Sequence, residues 1–222
     1  MKLIIKIIKF EINNTLRSKW LIIYSAFFLL LGFLLFNFED ETSKAALSLM
    51  NIVLFVIPLV SIVFGTVYVY NSINYIQMVL CQPIDRRSLY LGLFFGNSIP
   101  LAFGFFIGTA LGILLTGFEL TNIKPIIILI GVGVILTFIF TAIALWIALR
   151  FNDKARGLGV SIIIWLFLAV IYDGIVLFLI YFFRDYPIEN FMIALSLINP
   201  VDLGRIFFIL EFDISALMGY TG

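Results

Sequence analysis

Two stretches of this 222-residue chain place ionisable side chains among apolar ones, and they bound the chemistry open to it. One is Asp173, alone in the run Trp165-Leu166-Phe167-Leu168-Ala169-Val170-Ile171-Tyr172-Asp173-Gly174. The other is Gln82-Pro83-Ile84-Asp85-Arg86-Arg87-Ser88, a short charged block between two long apolar segments. A carboxylate at the centre of a membrane helix costs roughly 2.5–3.5 kcal/mol on insertion scales, so Asp173 calls for a cation, a proton or water beside it. No Lys or Arg stands within a turn of it. It reads either as a pathway or gating residue, or as a structural group whose Asp-Gly pair breaks the helix while the carboxyl caps freed amides.

Catalytic and metal chemistry find little here. The chain has no His and one Cys, Cys81, which excludes an internal disulfide and a His or Cys metal cluster. The Met residues are scattered and form no copper path. No Gly-Lys-Ser or Gly-Lys-Thr phosphate loop occurs, so the chain is not itself a P-loop ATPase. The expectation is a non-enzyme with no cofactor and no metal ligand of its own.

The elements that position these residues are membrane helices. The chain is 63% apolar and 12% charged, against about 45–50% and about 25% for a soluble domain. A span needs about 20 mostly apolar residues. Segments near 20–38, 45–70, 88–116, 125–149 and 158–183 qualify. The first is too long for a signal peptide and lacks a small-residue cleavage site, so it reads as an uncleaved anchor. The fold class expected is all-α: one polytopic membrane helix bundle over residues 1–222, with an N-terminal interfacial helix and five spans.

Basic residues orient it. With the N-terminus inside, the cytoplasmic segments hold Lys2, Lys6, Lys9, Arg17, Lys19, Arg86, Arg87, Arg150, Lys154 and Arg156. The outer segments hold only Lys44, Lys124, Arg184 and Arg205, and are acidic at Glu39-Asp40-Glu41, Glu119, Asp185, Glu189, Asp202, Glu211 and Asp213. Residues 2–18 read as a surface helix, with Lys2, Lys6, Lys9, Asn13 and Arg17 on one narrow face. Glu11 falls on the opposite, apolar side, either facing protein or a polar cleft or lying near the rim of a plain anchor helix.

Gly104, Gly108 and Gly112 repeat every fourth residue of span three, a packing signal for a close neighbouring helix. Pro58 and Pro100 sit inside spans two and three, where kinks are expected, with Asn97-Ser98 placed to satisfy groups freed near the second. Before the charged block, Ile73, Ile76, Gln77 and Leu80 fall at helical spacing, which predicts a short amphipathic helix ending at Pro83. Asp85 is then placed to cap the helix of span three. From periodicity alone, this corner is equally a topology marker and a docking helix for a cytoplasmic partner.

The sequence from interfacial helix through Gln82-Pro83-Ile84-Asp85-Arg86-Arg87-Ser88-Leu89 resembles the membrane subunit of ABC transporters of the ABC-2 type. The resemblance implies that the helix within 71–87 couples to a separate ABC ATPase, with Gln82, Pro83, Asp85, Arg86 and Arg87 at the contact. It also implies a homodimer of permeases and ATP bound only by the partner. Tyr172-Asp173-Gly174, Leu197-Ile198-Asn199-Pro200-Val201-Asp202 and Ala216-Leu217-Met218-Gly219-Tyr220-Thr221-Gly222 narrow the likeness. Together they are similar to the permeases of nitrous oxide reductase maturation systems. That implies a bacterial inner (cytoplasmic) membrane, a periplasmic copper-handling partner, the bilayer and no nucleic acid. A general ABC-2 exporter of a small lipophilic molecule or surface component is the alternative. Permeases of this type have six spans, so the expectation is that a sixth belongs after Gly222. Residues 184–222 are expected to lie along the outer bilayer surface as short interfacial helices.

Overall fold

The computed structural model describes residues 2–39, 42–81, 85–116, 124–183 and 189–219, and among these there is no strand. The helices are α1 (Lys2–Leu16), α2 (Lys19–Phe38), α3 (Thr42–Asn71), α4 (Ile73–Leu80), α5 (Arg86–Leu114), α6 (Lys124–Arg150), α7 (Lys154–Leu166), α8 (Tyr172–Phe182), α9 (Glu189–Ile198) and α10 (Pro200–Gly219). A π-helical turn, Phe167–Ile171, carries α7 into α8 without a break. The helices α2, α3, α5, α6 and the joined α7–α8 are long and apolar enough to cross a membrane. The bundle therefore has a basic end, with α1, α4 and the α6–α7 turn.

The bundle is assembled on one face of α5. A Cβ added at Gly108 would fall 2.5 Å from the Ser25 carbonyl oxygen, and one at Gly112 would fall 2.5 Å from that of Leu29. Backbone thus meets backbone between α2 and α5, where apolar side chains alone would hold the helices apart. Gly104 continues the seam against Leu21. Gly96, two turns earlier on the same face, is pressed against Glu11 of α1. Between the glycines, Phe28 of α2 packs edge-on against Phe105 of α5 with centroids 4.9 Å apart.

On the other side α3 and α6 pack against each other, with Gly65 beside Ala144. Leu49, Ile57, Phe105 and Phe140 are fully buried in the shared core. Polar contacts tie the fifth span to α3: Thr66 and Ser161 share a hydrogen bond of 2.8 Å, and Trp165 Nε1 donates to the Phe55 carbonyl at 3.1 Å. The two proline-bearing helices, α3 and α5, run on through Pro58 and Pro100. Ser98 Oγ is buried without a hydrogen bond, so it does not serve the carbonyl freed near Pro100 as the sequence led us to expect.

The C-terminal region corrects a second expectation. The segment does not lie along the surface; α9 and α10 form a re-entrant hairpin. Tyr172 Oη donates to the Leu195 carbonyl, Asn199 Nδ2 to that of Leu168, and Arg205 reaches back to Asp173. Along α9 the partners descend the fifth span, and along α10 they climb again. Gly204 is seated on Val132, Leu54 and Leu136. Leu54 lies twelve residues past Thr42, which is roughly 18 Å along α3 at about 1.5 Å per residue. Asn199 makes the tip tolerable at that depth. Its Oδ1 accepts from Val201 N–H at 3.1 Å, capping α10, while Pro200 takes the first helical position. Asn199 and Val201 are buried while Leu197 and Ile198 are exposed, so the break has one side covered by protein.

The glycine seam has a direct test. Gly112→Val forces a branched side chain against the Leu29 carbonyl and should cost about 1–3 kcal/mol of stability. Gly131→Val, where an added Cβ meets no neighbour within 4 Å, should leave the melting temperature of the detergent-solubilised protein nearly unchanged. Equal losses at the two positions would show that the seam is not what holds α2 to α5.

Candidate functional site

The basic end gathers most of the polar groups that the sequence singled out. A small apolar cluster separate from the main core holds it: Ile76 and Val79 of α4 pack with Val69, Leu89, Leu93 and Ala148. The inward face of α4 is therefore Ile76 and Val79, whereas Leu80, expected on that face, is 38% exposed. Tyr70 Oη donates to the Phe151 carbonyl at 2.6 Å and its ring lies against Gly157, which fixes the end of α3 to the α6–α7 turn. α4 thus shares one apolar cluster with the ends of α3, α5 and α6.

Its outward face is open. Met78 is 59% exposed, and Gln77, Cys81, Asp85, Arg86 and Arg87 are exposed beside it. Gln82 and Pro83 lie outside the described residues. Asp85 occupies the N-cap position of α5 in an extended conformation, yet its side chain makes no capping hydrogen bond, contrary to expectation. Its charge still stands at the positive end of the α5 dipole.

Helix α1 completes this corner. Lys9, Asn13 and Arg17 are exposed as their spacing predicts, and the side chains of Lys2 and Lys6 lie outside the description. Glu11 and Thr15, one turn apart, point inward and are buried. Glu11 thus faces protein: Tyr68 Oη donates to its Oε2. Phe10 stacks on Tyr75 of α4 with centroids 5.8 Å apart. One turn of α1 therefore touches the end of α3, the short helix α4 and the glycine face of α5. Burial pushes the Glu11 carboxyl above its ordinary 4.5, and the hydrogen bond from Tyr68 opposes that in part.

Asp173 lies in the other half of the bundle, well away from this corner. The Asp-Gly pair does not break the helix; the irregularity precedes it, in the π-helical turn. Its partner is Arg205 of α10, whose Nη1 donates to Asp173 Oδ2 at 2.7 Å and lies 3.7 Å from Asp202 Oδ1. Two carboxylates share one guanidinium, and the group clamps the re-entrant hairpin onto the fifth span. The sequence signalled that Asp173 needs a distant cation. It gave no sign that Arg205, thirty-two positions on, supplies it. Asn199 was visible only as part of an Asn-Pro pair, which is a helix-start signal when read for capping.

A helical bundle with five apolar spans and an exposed charged corner is the architecture of a multi-pass membrane protein. No protein-family model matches the chain. It is 25% identical over 231 aligned residues, 94% of this chain and 82% of the relative, to a "Probable ABC transporter permease protein NosY" from Pseudomonas aeruginosa. It is 23% identical over 218 residues, 88% of this chain and 77% of the relative, to the protein of the same name from Stutzerimonas stutzeri. Similarity to NosY over nearly the whole chain, together with the fold, supports a membrane permease of an ABC transporter, a non-catalytic subunit.

Protonation of Glu11 gives this corner a pH signature. A raised carboxyl contributes stability that is whole below its ordinary value of 4.5 and is lost as pH rises through the raised value. Glu11→Gln removes the ionisation and keeps an acceptor for Tyr68. On going from mildly acidic to neutral buffer, the wild type should lose melting temperature and Glu11→Gln should not. Parallel pH curves for the two would exclude a buried, titrating Glu11.

Proposed function

We propose that this chain is the membrane permease of an ABC-2 type transporter, lying in the cytoplasmic membrane with its N-terminus and basic end inside. A separate ABC ATPase docks on the corner formed by α4 and the stretch Gln82, Pro83, Asp85, Arg86 and Arg87. ATP is bound there by the partner, and this chain carries no cofactor. Two permease copies pair in the transporter. The single permease domain spans residues 1–222, and the acidic end works on the periplasmic side. By analogy with the relatives' name, the driven step serves copper-site maturation of nitrous oxide reductase through a periplasmic copper-handling subunit.

The observation that carries this reading is the construction of the corner. The inner side chains of α4, Ile76 and Val79, share one apolar cluster with residues of three spans, and Tyr75 stacks on Phe10 of α1, while Met78 and two arginines face outward. A load applied to that surface is transmitted into the bundle rather than absorbed by a loose loop. An exposed apolar side chain beside cations also suits a protein groove with an acidic rim. Asp173, Arg205 and Asp202 hold the hairpin that faces the periplasm in this orientation, a positioning role and not a catalytic one.

The test is co-purification. The ATPase should accompany the wild-type chain, and the double substitution Arg86→Glu with Arg87→Glu should release it while leaving the permease folded in the membrane. An intact complex in the double variant would remove the docking assignment. Copper loading of nitrous oxide reductase in cells lacking this gene reads the finer assignment, and Asp173→Asn reads the hairpin clamp. Normal loading without the gene would point instead to export of a small lipophilic molecule or surface component.

A further inference from the structure

Beside the corner lies a groove that neither the coupling nor the hairpin uses. It opens where α1 turns into α2 and follows the basic-end half of α3, with a volume of about 830 Å³. Asn14, Arg17, Ser18, Asn71 and Ser72 line its mouth. Leu59, Val60, Val63, Phe64 and Val67 line its depth. A second cavity of about 300 Å³ shares Val60, Phe64 and Trp20 with it and extends the apolar part toward Tyr24 and Leu101. The groove exists because α2 is drawn onto the glycines of α5, which leaves the basic-end half of α3 uncovered by α2.

We propose that this groove holds one anionic glycerophospholipid of the leaflet at the basic end. Its polarity changes once, in the direction of membrane depth. From Asn71 to Val60 is eleven residues of helix, roughly 16 Å at about 1.5 Å per residue. That matches half of a hydrocarbon core of about 30 Å, the reach of one leaflet. The mouth is cationic. Arg17 is exposed there, and Lys154 Nζ donates to Asn71 Oδ1 at 3.1 Å, which brings an ammonium to the rim beside the guanidinium. The carboxylates nearby are engaged: Glu11 is buried and accepts from Tyr68, and Asp153 accepts from Ala155 N–H and pairs with Arg156. Trp20, 70% exposed, marks the headgroup level at which indole side chains settle. Amide and hydroxyl donors around two cations suit a phosphodiester, and the branched apolar walls suit an acyl chain. A helix from a second copy would fill the depth but leave the ring of donors and cations at the mouth without an anion.

The site also has a consequence for the corner. Tyr68, Asn71 and Ser72 line the groove, and Ser72 is the residue before α4. A lipid bound here stiffens the joint between α3 and α4 from the side opposite the apolar cluster.

The experiment uses the full-length chain in nanodiscs of phosphatidylcholine with and without phosphatidylglycerol. Lipid retained after detergent release is counted by native mass spectrometry. The wild type should keep one phosphatidylglycerol per chain in preference to phosphatidylcholine. Arg17→Glu should lower the phosphatidylglycerol-bound fraction about tenfold, because it reverses a charge at the headgroup level. Val63→Trp, which fills the depth, should lower it as well. Arg150→Glu, an exposed charge reversal that does not line the groove, should leave retention unchanged and so controls for general surface attraction. Equal retention of the two lipids, or wild-type retention in both groove variants, would overturn the site. So would a loss of dimer without a loss of lipid in Val63→Trp, which would give the groove to a second copy. None of these readouts involves the ATPase, so the lipid site and the permease assignment succeed or fail separately.

Discussion

The close approach of α1 and α2 to the glycine face of α5 is the contact on which the rest of the structure depends. In a bilayer, apolar surface gains little from leaving lipid for protein, so helices associate through contact distance and internal polar pairing. Gly108 and Gly112 provide the distance for α2, and Gly96 provides it for α1. With α1 held there, Glu11 is driven inward to Tyr68 and Phe10 reaches Tyr75. With α2 held there, α3 is left free to pair with α6 on its other side. The corner and the open groove are both consequences of that one arrangement.

Several polar groups inside the bundle fix one element to another. Thr66 and Ser161 join α3 to the fifth span, Tyr70 joins α3 to the α6–α7 turn, and Arg205 joins α10 to the fifth span. Each is a cross-helix contact in a setting where an unpaired polar group would be costly. The π-helical turn belongs to the same pattern. The Leu168 carbonyl within it accepts from Asn199, so the irregular turn of the span and the tip of the hairpin satisfy each other.

How much of this was legible depends on whether the signal is local. Hydropathy marks the long apolar helices because a span must be continuously apolar over its own length. The Gly104, Gly108 and Gly112 row was legible as a packing face for the same reason, since repetition at four needs only one helix. Gly96 escaped because Pro100 interrupts the row of four, and its partner Glu11 lies eighty-five positions earlier. Asp173 announced a need and not a partner. The α9–α10 hairpin was misread because short apolar helices with scattered charges have the same composition on a bilayer surface and inside it. What separates the two states is the set of contacts made by Asn199, Gly204 and Arg205, and those contacts are long-range.

The two ends of the molecule communicate through few elements. α3 carries Tyr68 and Tyr70 at the corner and Leu54 against Gly204 of the hairpin. α6 carries Ala148 in the corner cluster and Val132 and Leu136 against the same glycine. These two helices are packed on each other, so a displacement imposed at α4 meets a paired unit rather than a single flexible helix. The fifth span follows through Thr66–Ser161 and Phe55–Trp165. Its π-helical turn is the point at which that span departs from regular geometry, and it lies where the hairpin tip is held. The packed α3–α6 pair thus stands beside the hairpin tip, with Leu54, Val132 and Leu136 against Gly204.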